Sequence, residues 1–443
     1  MRFIEKIRRL IRPEAPRIRL LPAHKEREAS SNACPSNPRL GRAIGLVVFI
    51  SLLTGSGRGA VTTPAGVDTN PLNQDPLVRQ AFQRFYILDY DGALSRFEKV
   101  QAQNPTSPLA VDYVLDTMIF RELYGLDLLD TTLYAHDGFL NGKHTVARDP
   151  AVADRVNSLF NKALELSDQQ LSQRPEDVDA LFARGWARSL HAVYIGLIER
   201  SFVSALHVAL QARSDNEKVL RLDPRYTDAK LILGVHQYVT GSLPFGIKIL
   251  AGAAGITGSK SKGIEDLKEA GAHGVITTVE ARTALGLFLR REAKYEEAIA
   301  VTRSLTEEYP RDFLFRLELA NLTKDAGQGI QAIAEYRQVL DQAKKPGYFP
   351  SAHPELAWFG LGDSLQGQKN YAEAAEAYNQ ATLQPTISMD LKSRCDLNSG
   401  KMYDLLNERD MALKQYEVVL RQDGDSAQAD SARKYLKSPF TTR

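Results

Sequence analysis

The chain has 443 residues, 43% of them hydrophobic and 25% charged, with a formal net charge of +2. That is average globular usage, which excludes a wholly disordered chain and a multi-span membrane protein; the length suits two or three domains or one extended repeat array. Two cysteines, Cys34 and Cys395, exclude a disulfide scaffold and a cysteine-rich zinc module. The charge is unevenly placed. Residues 1–42 hold 11 of the 56 Lys/Arg and 4 of the 54 Asp/Glu, a balance of +7, so the rest of the chain balances at −5. A mildly acidic body argues against nucleic acid as a partner, because phosphate binding rests on a cationic face.

Residues 1–42 are Arg-rich and carry five prolines, with no sustained apolar period. They lead into Ala43–Thr54, a twelve-residue apolar run. Spanning a bilayer takes about 20 apolar residues, whereas the core of an export signal has about 7–15. The pattern predicts an exported chain, cut after Ala60 or Ala65, although Arg58 suits the first cut poorly and the basic region is long. An uncleaved N-terminal anchor, holding the chain to the inner membrane, and a later start codon stay open as alternatives. Arg8-Arg9 lies too far ahead of the apolar core for a twin-arginine signal. Residues 61–75, poor in apolar anchors, read as a flexible leader.

From there on the sequence repeats. Ala81 is followed twelve residues later by Ala93, Gly286 by Ala298, Ala320 by Ala332, Gly362 by Ala374 and Gly400 by Ala412. In four of these units an aromatic and an apolar residue follow at +4 and +7: Phe97 and Val100, Tyr336 and Val339, Tyr378 and Ala381, Tyr416 and Val419. Proline closes units at Pro105, Pro175, Pro224, Pro310 and Pro385. The spacing predicts helix–turn–helix units. A small residue in the first helix lets the second approach, the aromatic fills the groove between successive hairpins, and proline ends the second helix.

The pattern Trp358-x2-Leu361-Gly362 with Tyr371, Ala374, Tyr378 and Ala381 resembles the tetratricopeptide repeat, as does Leu285-Gly286 with Tyr295, Ala298 and Pro310. The resemblance covers about 74–436 and is most regular over 279–426, with Ser426–Leu436 as a capping helix. It implies an all-α fold, an α-solenoid of helix–turn–helix repeats. Between 108 and 278 the register loosens, with Gly185 and Gly234 in first-helix positions and unusually long helices over 176–222. Leu243-Pro-Phe-Gly through Gly258, Gly263-Ile264 and Leu267 is similar to the eukaryotic inclusion-body-clearance and tetratricopeptide-39 family, but departs from it at Ile256 and Ser259. That resemblance implies lipid or aggregate handling and brings no catalytic residues. The organisation is then a basic region with signal peptide or anchor (1–60), a leader (61–75), an irregular repeat region (76–278) and a regular array with its cap (279–443).

Chemistry is sparse. Gly252–Ser261 has the look of a phosphate loop, but Ala254 and Ser259 occupy its glycine positions, so a turn between helices is the better reading. His136-Asp137 with His144, and His191 with His207, are spaced 8 and 16 apart, where an i, i+4 pair would share a helix face; no metal is expected of them. Cys395 reads as a packing residue, and no nucleophile elbow or cysteine/histidine signature is present. No cofactor and no catalysis are expected.

What remains is binding. The repeat resemblance implies a groove lined by first helices, with Arg290, Arg291, Asn321, Lys324, Asp363, Gln366, Lys401 and Asp404 facing it. Their mixed signs suit a protein or peptide partner. The carboxylate clamp of co-chaperone repeats would need Lys and Asn where Thr283 and Leu287 stand. The reading is an exported interaction scaffold. Its rival is a lipid- or hydrophobic-ligand-handling protein with an apolar pocket in 186–260, lined by Tyr238, Phe245, Ile249 and Ile256.

Overall fold

A computed structural model describes residues 68–135, 149–243, 248 and 257–442. The apolar run at 43–54, His136, Asp137 and His144, and most of 243–257, including Phe245, Ile249 and Ile256, lie outside the described residues.

The described chain is all helix, as the repeats imply. Eight antiparallel pairs follow one another: α1 (Pro76–Phe85) with α2 (Tyr90–Gln103), α3 (Pro108–Gly125) with α4 (Pro150–Gln173), α5 (Val178–Val193) with α6 (Phe202–Leu222), and α7 (Ala229–Gly241) with α8 (Lys260–His273). The regular half continues with α9 (Thr278–Arg291) and α10 (Tyr295–Glu308), α11 (Phe313–Asp325) and α12 (Gly329–Ala343), α13 (Pro354–Gly367) and α14 (Tyr371–Thr382), α15 (Met389–Leu405) and α16 (Arg409–Gln422). A last helix, α17 (Ala427–Lys437), covers the final pair. The result is an α-solenoid. Among the described residues no helix is long and apolar enough to cross a membrane.

Local chemistry sets the boundaries. Asp75, Ser107, Asp149, Asp177, Asp312, Ser388 and Ser426 each accept a first-turn backbone N–H, and Pro76, Pro108, Pro150 and Pro354 open their helices. First helices end alike. Leu88, Ala293, Gly327, Lys369 and Asn407 take left-handed φ values of 56–79° between the two helices of a pair. The next N–H then bonds back five residues, as from Lys294 to Leu289 and from Asn370 to Leu365. Asp127 and Arg200 adopt the same conformation after α3 and after the π-helical extension of α5 at Tyr194–Ile198. The loosened register of the middle therefore keeps the turn geometry of the regular repeats.

The small residues act as contact points. A Cβ on Gly362 or Gly400 would stand 2.6 Å from the ring of Tyr378 or Tyr416, both fully buried in the same pair. Tyr336 reaches across to Gly360 of the next pair. Tyr336 and Tyr378 each touch both their own first helix and that of the next pair, through Asn321 and Gly360 and through Gly362 and Asn398, as the groove-filling role expects. In the middle the contact is backbone to backbone. A Cβ on Gly263 would lie 2.5 Å from the Tyr238 nitrogen, and one on Gly234 3.0 Å from the Gly263 carbonyl oxygen.

Residues 68–75, placed by sequence in the leader, are fastened down. Pro71–Gln74 forms a 3-10 turn, buried Asn73 accepts from Tyr113, and the Asn70 N–H donates to the Tyr226 hydroxyl at 3.3 Å. The reason is tertiary: residues 68–75 run against the entry to α7, where Asp228 is buried. Asp228 Oδ1 accepts from the N–H groups of Val275, Ile276 and Thr277 (2.8, 3.1 and 3.1 Å) and from Thr277 Oγ1 (2.8 Å), capping the approach to α9.

Candidate partner-binding face

The first helices α9, α11, α13 and α15 present side chains to one another from successive pairs, and the eight residues singled out for the groove lie on or just beyond them. They divide into three groups.

The upstream group is covered by the chain itself. The connection between α3 and α4 carries a 3-10 turn, Thr131–Tyr134, that packs on α11. Arg290 is 5% exposed; its Nε donates to Asp325 at 2.7 Å, and its Nη1 donates to Glu318 at 3.2 Å and Thr131 at 3.3 Å. Burial alone would pull the guanidinium down, but Glu318 and Asp325 outweigh it, so the cation is held as an internal counter-charge. Arg291 donates to the Tyr134 carbonyl at 2.6 Å. Asn321, 4% exposed, accepts from the Tyr336 hydroxyl. Arg290 and Arg291 thus join distant parts of the chain, while Asn321 is tied up within its own pair.

The downstream end is covered as well. Asp404 is 8% exposed and accepts from Tyr416 (2.7 Å), Arg409 (2.8 Å) and the backbone N–H of Phe440 (2.7 Å), so the segment after α17 folds back onto α15. Lys401 donates to Asn398 at 2.9 Å, and its ammonium lies 5.7 Å from the centre of the Phe440 ring. Burial lowers the Lys401 pKa, with Asp363 opposing the shift.

Between the two ends the face is half-exposed. Lys324 and Asp363 approach to 3.7 Å, with side chains 24% and 31% exposed. The Tyr378 hydroxyl donates towards Asp363 at 2.8 Å and Gln366 at 3.0 Å. The fully buried Tyr378 ring thereby fixes an acid and an amide from below, while Lys324 sets a cation beside them. The arrangement offers hydrogen-bond donors and acceptors of both signs over a short span.

Tyr238, the described member of the apolar set, is fully buried. Its ring stacks on Phe288 at 3.7 Å and its hydroxyl donates to Glu292 at 2.8 Å. Ser259, in the phosphate-loop look-alike, caps α8 by accepting from the Lys262 N–H, and Lys260 pairs with Glu292 at 2.6 Å. His191 stacks on Phe160 at 3.8 Å, and burial lowers its pKa to about 4. His207 is paired with Gln211 on an exposed surface. Cys395 is fully buried, which pushes its thiol up. Residue spacing did not reveal Thr131, Tyr134 or Phe440 as covers of the face. The available signal was the length of the 126–149 connection, far beyond a hairpin turn.

Stacked helix pairs with one small-residue crossing each define a helical repeat scaffold. Residues 317–386 match the tetratricopeptide repeat model. Its fold is similar to that of PilF from Pseudomonas aeruginosa, with 17% identity over 59% of this chain and 99% of that one and a TM-score of 0.37. A thermophilic tetratricopeptide repeat protein of Thermus thermophilus shares 22% identity over 56% and 98% of the two chains, at a TM-score of 0.32. A chain of the APC/C hetero-tetramer Cut9–Hcn1 shares 15% over 83% and 56%, at 0.45. No curated protein matches the chain.

Proposed function

We propose that this protein is a non-catalytic scaffold, exported from the cytoplasm, that binds an extended protein segment in a groove over α11 and α13. The carrying observation is the half-exposed cluster of Lys324, Asp363 and Gln366, tethered by buried Tyr378 and bounded by self-covered faces on both sides. Tetratricopeptide repeats are generally interaction scaffolds, and polar groups of both signs held rigidly apart favour a peptide over a polyanion. The export reading rests on the basic N-terminus and the apolar run at 43–54. The lipid-handling alternative gains no support from Tyr238, whose ring and hydroxyl are committed to Phe288 and Glu292.

The test is site-specific photocrosslinking in envelope extract, with the probe at Gln366 or, as control, at Glu376 on the second helix of the same pair. A defined protein adduct at Gln366, absent at Glu376 and lost in Lys324→Glu, is the expected result. Equal labelling at both positions would sink the groove.

A further inference from the structure

Where the end of α3 meets the start of α13, three side chains converge from positions 226 or more residues apart and within one turn. Asp127 is the left-handed residue closing α3, His353 immediately precedes α13, and Glu355 lies in its first turn. His353 Nδ1 is 2.7 Å from Asp127 Oδ1 and 3.0 Å from Glu355 Oε1, and the three atoms lie within 4.8 Å of one another. The Glu355 side chain is fully buried, that of His353 9% exposed and that of Asp127 17%. All three atoms face one another, and no group outside the trio bonds to them.

A buried and a half-buried carboxylate facing a neutral imidazole carry two negative charges that it does not offset, a costly arrangement where Glu355 is shut off from water. Even a protonated imidazole would offset only one of the two carboxylate charges, and the Glu355 carboxylate is fully buried. The spacing suits a shared ion after a small outward adjustment. Ligands bound at about 2.0–2.2 Å on adjacent corners of one ion stand roughly 2.8–3.6 Å apart, slightly more than the two separations from Nδ1. The surrounding groups orient the set. The second oxygen of Glu355 accepts from Thr386 Oγ1 at 2.7 Å, and the Tyr124 ring meets the His353 ring edge-on at 4.6 Å. The positive end of α13 opposes a cation with about half a charge, against two full carboxylate charges.

We propose that Asp127, His353 and Glu355 bind one divalent transition-metal cation of the zinc–manganese class, clasping the second helix pair to the seventh. One imidazole nitrogen with two carboxylate oxygens is a donor set for that class, intermediate between thiolate sites and all-oxygen sites. Asp127, the most exposed ligand, marks the side from which the ion enters, and water completes its coordination there.

The full chain, stripped with a chelator and dialysed, is titrated calorimetrically with Zn²⁺ and then with Mn²⁺. One equivalent should bind at micromolar or lower Kd and raise the melting temperature. Asp127→Asn should weaken binding at least tenfold with an unchanged circular dichroism spectrum, since asparagine tolerates the left-handed turn. His353→Gln should do the same if it folds. No bound metal at 1 mM Zn²⁺, or wild-type affinity in Asp127→Asn, overturns the proposal. So does a ¹⁵N spectrum in which His353 stays a doubly protonated imidazolium when Zn²⁺ is added.

Discussion

The regular pairs from α9 to α16 and the earlier pairs from α1 to α8 differ in what holds them together, although α1, α3 and α5 are followed by the same left-handed residue as the regular first helices. In the regular half the contacts are close in sequence: Gly362 receives Tyr378 and Gly400 receives Tyr416, each sixteen residues on. In the earlier half they are long-range and polar. Asp228 caps residues 275–277, Arg184 and Arg188 both pair with buried Asp215, and Tyr86 donates to Glu280 with its ring tilted against that of Tyr309 at 4.9 Å. A simple repeat array is stabilised by neighbours alone. Here the first pair also touches the fifth, and the link after α3 touches the sixth and seventh, so the array is cross-braced. Buried apolar side chains from Val78 to Met402 accordingly form one continuous core, with a second small cluster under the cap.

Removing a brace should cost more than loosening a repeat. Asp228→Ala strips the acceptor from two buried N–H groups and one half-buried one and should cost about 3–5 kcal/mol. Urea unfolding would show it, and hydrogen exchange should rise in 68–75 and 275–291 together. Protection lost only around 228 would mean that the brace is local.

A pH effect of about 2–4 kcal/mol is expected from Asp312, whose side chain caps α11. Burial raises its carboxyl to about 7, against the opposing N–H bonds of Phe315 and Leu314. Its folded pKa exceeds the unfolded value near 4, so the contribution is full at low pH and is lost as pH rises through 7. Asp312→Asn retains the cap and should gain on wild type between pH 5 and 8; parallel stability profiles would refute the assignment.

Gly263→Ala should cost about 2–3 kcal/mol, because its Cβ meets backbone at 2.5 Å. Gly362→Ala should cost about 1–2 kcal/mol, because a ring can yield where a backbone nitrogen cannot. Thermal melts of the pair rank the two kinds of crossing; the reverse order would place the tighter constraint in the regular half.

The smallest effect has the opposite sign. Ala293→Gly at φ 56° should stabilise by up to about 1 kcal/mol, since glycine adopts that conformation without Cβ strain. A loss in chemical denaturation would show that the Ala293 methyl packs usefully.

The repeat signal was legible where partners lie within a pair, and so Gly362, Ala374 and Tyr378 pointed to the fold directly. The face was only partly legible. Position on a first helix put Lys324, Asp363 and Gln366 on the same footing as Arg290, Asn321 and Asp404. Which of them is free depends on the 131–134 turn and on Phe440, neither of which carries a periodic mark.

By itself, then, the sequence determined the helices, their caps, the pairing of small and aromatic residues, and hence the solenoid, because these are set by chemistry repeating over a few tens of residues. Tertiary structure alone decided that residues 68–75 are anchored, that Arg290 is an internal counter-charge, and that Asp127 meets His353 and Glu355. Those outcomes depend on how far each pair rotates against the next, a small angle summed over several pairs, and no local spacing records that sum.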